Sequence, residues 1–120
     1  TLPSPFLDTA CPQGWAHALA ALEATPFVRL VPGHGPVMGR ADFDLWRRAY
    51  GGLLDCAAGG ATASACGEAW AAAVAPLQGP DPADERRARL MTEAYVTNVL
   101  RGPDLAGRCG TRQAVSGGAD

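Results

Sequence analysis

Four cysteines, at positions 11, 56, 66 and 109, constrain this chain more than any other feature. No spacing among them has the short CxxC form of a zinc knuckle or a redox dithiol, so structural disulfides are the stronger reading, with three connectivities open. Cys56 closes one predicted helix and Cys66 opens the next, separated by an Ala/Gly-rich turn. A bridge there closes a loop of about 10 residues, which chain entropy values at ~2.5–3 kcal/mol. Elimination then leaves Cys11 and Cys109 to tie the start of the first helix to the C-terminal segment. Such cysteine usage points to an oxidising compartment, periplasmic or secreted. No signal peptide is visible, and a fragment lacking its N-terminus would show none.

Composition narrows the classes further. A chain of 120 residues with 48% apolar and 18% charged side chains is globular and of single-domain size. Much of the apolar fraction is alanine, so the core rests on few large side chains, chiefly Trp15, Phe27, Phe43, Trp46, Tyr50, Trp70 and Tyr95. Every lysine-or-arginine position is arginine, and the pairs Arg47-Arg48 and Arg86-Arg87 lie on predicted helices without aromatic interleaving. With a formal charge of −2, these pairs read as solvated faces and no nucleic-acid partner is expected. No run approaches the ~18–20 apolar residues that cross a bilayer, so no membrane partner is expected either.

Periodicity and punctuation predict four helices. The first starts with Pro12 at its first position and runs to Ala24, with Trp15, Ala18, Leu19 and Leu22 on its buried face and His17 off it. The second starts near Ala41 and carries Phe43, Trp46, Tyr50, Leu53, Leu54 and Ala57 on one side, with an interruption at Gly51-Gly52. A third covers 65–75 around Trp70 and is stopped by Pro76. The fourth has Asp81 as N-cap, Pro82 next, Asp84 and Glu85 in the first turn, and a stripe of Ala88, Met91, Tyr95 and Val99 before Arg101-Gly102-Pro103.

Between the first two helices lies the segment with the most chemistry. Residues 27–31 have the β-branched, apolar character of a short buried strand, and Pro32-Gly33 stops it. His34 follows between Gly33 and Gly35, which remove two Cβ atoms and let the backbone turn tightly or adopt positive φ. An imidazole held at a strand tip in this way suits metal ligation.

The run Val31-Pro32-Gly33-His34-Gly35-Pro36, with a helix on either side, resembles the C-terminal part of metallo-β-lactamase-fold hydrolases. The likeness covers residues 1–58 and fades beyond residue 60. It implies an α/β fold, the C-terminal portion of an αββα sandwich, mostly helical in this fragment with one or two strands. It also implies that His34 is a metal ligand, supported in its turn by Gly33 and Gly35, in a parent enzyme that holds one or two zinc ions. The HxHxDH loop, further histidine and bridging aspartate of that family do not occur in this chain. Asp8 reads as a capping or turn residue instead of the bridging aspartate. The expected organisation is therefore 1–58 as hydrolase core, 59–109 as a helical extension and 110–120 as a disordered tail. The parent would hydrolyse a small-molecule substrate, and the fragment alone would neither hold zinc nor turn over. The alternative is a non-catalytic, disulfide-stabilised helical binding module.

Overall fold

The computed structural model describes residues 10–110, so the readings at Asp8 and in the tail 111–120 lie outside the described residues. The first helix, α1, spans Pro12–Glu23. Cys11 caps it, its sulfur accepting the Gly14 N–H at 3.4 Å, and Pro12 occupies the first turn, where a missing N–H costs nothing. A two-residue strand β1 (Arg29–Leu30) pairs antiparallel with β2 (Met38–Gly39), Arg29 opposite Gly39 and Leu30 opposite Met38. Helix α2, Arg40–Ala58, starts where the Asp42 carboxylate accepts the Gly39 N–H at 3.0 Å. Helix α3 spans Ala63–Ala73, with the Thr62 hydroxyl accepting from the Ala65 N–H. A 3₁₀ turn over Ala75–Leu77 carries Pro76. Helix α4, Pro82–Tyr95, has Asp81 as its N-cap, and it widens into a π-helical turn, Val96–Leu100. A last helical turn covers 105–110.

The described residues are mostly helical, and their only sheet is the β1–β2 pair. This corrects the expected αββα sandwich. The reason lies in where the large apolar side chains fall. They sit at helical spacing on α2, α3 and α4, which pack on one another directly, while prolines 26, 32 and 36 confine the extended backbone to two residues per strand. The segment 27–31 is not a buried strand either: Val28 is 80% and Val31 78% exposed, and only Phe27 and Leu30 lean inward.

Two helical faces and one helix interruption also need correction. On α1 only Leu19 of the expected stripe is buried; Trp15 is half-buried, Ala18 exposed and Leu22 42% exposed. On α4 Tyr95 and Val99 of the expected stripe are buried and Ala88 packs against the core, but Met91 is 44% exposed and Thr92 is enclosed instead. Gly51-Gly52 does not interrupt α2, which runs through both glycines.

The core itself is built on α2, where Phe43, Trp46, Tyr50 and Leu53 are buried. Trp46 stacks on Tyr50 with ring centroids 5.7 Å apart and meets Trp70 of α3 edge-on at 6.0 Å. Val74, Tyr95, Val96, Val99 and Leu100 close the cluster, which draws on residues from both sides of position 58. Helices α3 and α4 approach closely at Gly67, where an added Cβ would lie 2.7 Å from the Arg89 carbonyl oxygen.

Two disulfides staple this frame. Cys56 and Cys66 join α2 to α3 with Cα atoms 5.7 Å apart, and Cys11 and Cys109 join the start of α1 to the last helical turn at 5.0 Å. Two arginines complete it by capping helices C-terminally, a task often left to glycine. Arg40 donates to the carbonyls of Glu23 and Thr25 at the end of α1. Arg101, projected by the π-helical turn, donates to the carbonyls of Cys56, Ala57, Gly59 and Ala61 beyond α2. The two disulfides fit an oxidising, extracytoplasmic environment. No described helix is long and apolar enough to cross a membrane.

Candidate functional site

His34 lies in the loop 31–37 that joins the two strands, and its side chain is exposed. Gly35 turns the loop with φ of 101°, a conformation that a β-carbon would strain. Gly33 meets no such demand, since a Cβ there would find open space. The hairpin thus presents the imidazole to solvent rather than delivering it to a buried site. His17 is also exposed, on α1.

A catalytic zinc needs three protein ligands and an open position. Among the described residues no group of three or more His, Cys, Asp or Glu side chains could hold a metal, and all four cysteines are consumed in disulfides. The donor set around His34 does not fit such an ion, and no step can be built through one on these residues.

A buried phenol offers the most perturbed titratable group. Tyr50 donates from its hydroxyl to the Pro12 carbonyl at 3.3 Å, bridging α2 to the start of α1. Burial raises its pKa well above the ordinary phenol range, and the neighbouring Tyr95 adds to the shift by charge and by hydrogen bonding. Stacked beneath Trp46 and inside the core, this hydroxyl is a structural bridge rather than a reacting group.

The feature that sequence reading did not find is a groove of about 470 Å³ between α2 and α3. Its α2 wall is the stripe Leu45, Ala49, Gly52 and Cys56, spaced so that the four lie along one side of the helix over ~16 Å. Cys66, Ala69, Trp70 and Ala73 form the α3 wall by the same rule. Small side chains open the groove, the missing side chain of Gly52 above all: a Cβ there would meet no atom within 4 Å. The Cys56–Cys66 bridge fixes the two walls to each other at one end. Arg48 stands in the lining as its one charged residue. The sequence signal for this groove was present in the second apolar stripe of α2, which Gly51-Gly52 disguises as an interruption.

With this geometry in view, no family model, curated protein or solved structure matches the chain.

Proposed function

We propose that this protein is a non-catalytic binding module, periplasmic or secreted, whose disulfide-stapled helices present the α2–α3 groove to a ligand. The observation that carries this reading is the groove itself. It has the size and the mostly apolar lining of small-molecule sites, and its walls are held in place by a disulfide and by the buried Trp70. A preformed site of this kind binds without the entropy cost of ordering loops.

The test fills the groove without weakening the fold. Gly52→Leu improves helix propensity at an exposed helical position and places a side chain in the open space. The uncharged fluorophore Nile red should bind the natural chain saturably and fail to bind the Gly52→Leu variant, whose thermal midpoint should not fall. Equal binding by both proteins would remove the groove as the site.

The metal-hydrolase reading rests on the His34 turn that Gly35 fixes, with the remaining ligands supplied from outside the described residues. It would be preferred over the binding module if zinc bound the whole chain with multi-ligand affinity and His34→Ala abolished that binding.

A further inference from the structure

Resting on the binding-module reading, we infer that the α2–α3 groove takes a small amphiphile made of one alkyl chain and one carboxylate. The argument starts from shape. Small residues among the lining (Ala49, Gly52, Cys56, Ala69 and Ala73) leave a trough of about 470 Å³ between the packed helices, within the range for single small molecules, whereas a docking helix of ~10 Å diameter needs far more room. A flexible apolar chain suits such a trough, because every methylene laid along it leaves water. Cys66 and Trp70, almost wholly buried, give the trough an apolar floor.

Charge decides the headgroup. Arg48 is the sole charged residue lining the groove, it is exposed, and it forms no ion pair or hydrogen bond among the described residues. The other arginines near α2 are engaged: Arg40 with Asp44 and two carbonyls, Arg47 with Glu23, and Arg101 with four carbonyls. A guanidinium with its fork of donors unspent matches a carboxylate in both charge and geometry. No acidic side chain lines the groove to oppose an anion.

The experiment titrates decanoate, 1-decanol and decyltrimethylammonium, each below its micelle concentration, into the isotopically labelled full chain and follows backbone amide shifts. Decanoate should saturably shift the amides of Ala49, Gly52, Ala69 and Ala73, and bind at least fivefold more tightly than decanol or the ammonium compound. Arg48→Gln should bring decanoate down to the affinity of decanol without altering decanol binding. Gly52→Leu should abolish both. Equal affinities for all three probes, or an undiminished decanoate affinity in Arg48→Gln, would overturn the carboxylate assignment while leaving the groove a binding site. Shifts clustered elsewhere, or none with decanoate, would overturn the inference, and Nile red binding would report separately on whether the groove binds at all.

Discussion

Glycine serves opposite purposes in the two halves of this molecule. Where α3 crosses α4, Gly67 is required by packing: a Cβ would fall 2.7 Å from the Arg89 carbonyl oxygen and 3.4 Å from the Glu93 nitrogen. Gly102, at the end of the π-helical turn, is a local case in the same region, since a Cβ there would meet the carbonyl oxygen of Asn98 four residues back. In the β1–β2 hairpin Gly33 faces open space, and Gly35 holds a φ of 101° that strains any residue with a side chain. The helical half is therefore specified by close contact, and the hairpin by local chain geometry with a few anchors. Those anchors are buried Met38, the edge-on pair Phe27–Phe43 at 5.2 Å, and Arg40. A region specified by contact resists change with the whole molecule, whereas one held by anchors can open by itself.

The largest test of that contrast is Trp46→Ala. Trp46 is 5% exposed and touches both Tyr50 and Trp70, so truncation leaves a cavity at the junction of α2 and α3. A loss of ~3–5 kcal/mol in unfolding free energy is expected from urea denaturation. A loss below ~1 kcal/mol would mean that the helical half is not specified by packing. Next in size is Gly67→Ala, for which overpacking against the α4 backbone should cost ~1–3 kcal/mol, helix propensity notwithstanding. Gly33→Ala, the matching change in the hairpin, should leave the denaturation midpoint within error, and similar losses from both would erase the distinction between the two regions.

What was legible in the sequence follows the same division. Helix caps and prolines are local signals, so Pro12, Asp81 and Pro82 marked their helix starts, and the pairing of Cys56 with Cys66 was readable from ten residues of chain. The strand at 27–31 misled because β-branched residues next to prolines look alike whether a sheet covers them or not, and among the described residues no second sheet covers Val28 and Val31. The resemblance around His34 carried a fold that needs such sheets. Nothing local announced that Arg40 and Arg101 would cap helices 17 and more than 40 residues away, since those hydrogen bonds exist only after α1, α2 and α4 have packed. The groove escaped for the same reason. Small residues on α2 and α3 become walls only when the two helices lie side by side.

Arg40 offers a finer way to separate the regions. Its guanidinium lies 4.5 Å from the centre of the Phe27 ring, pairs with Asp44 and donates to the last carbonyls of α1, so it ties hairpin, α1 and α2 together. It is about one-third exposed, which limits its worth. Arg40→Met keeps the aliphatic stem and should cost ~1 kcal/mol overall. The more telling readout is hydrogen exchange: amides of the Leu30–Met38 ladder should exchange faster while those of α3 and α4 keep their protection. Uniform loss of protection would show that the hairpin opens only with the helical core.

The smallest expected effect belongs to His34→Ala, and it bears on both the hairpin and the chemistry first read into it. The imidazole is exposed, takes part in no hydrogen bond or ion pair among the described residues, and sits between glycines whose backbone shape does not depend on its side chain. Surface substitutions away from caps and buried networks change stability by no more than ~0.5 kcal/mol. Urea denaturation of His34→Ala should therefore overlay that of the natural chain, and hairpin amide exchange should be unchanged. Should the midpoint instead fall by the equivalent of ~1 kcal/mol or more, His34 would be an anchor of the loop in its own right. The hairpin would then be specified by contact, as the helical half is.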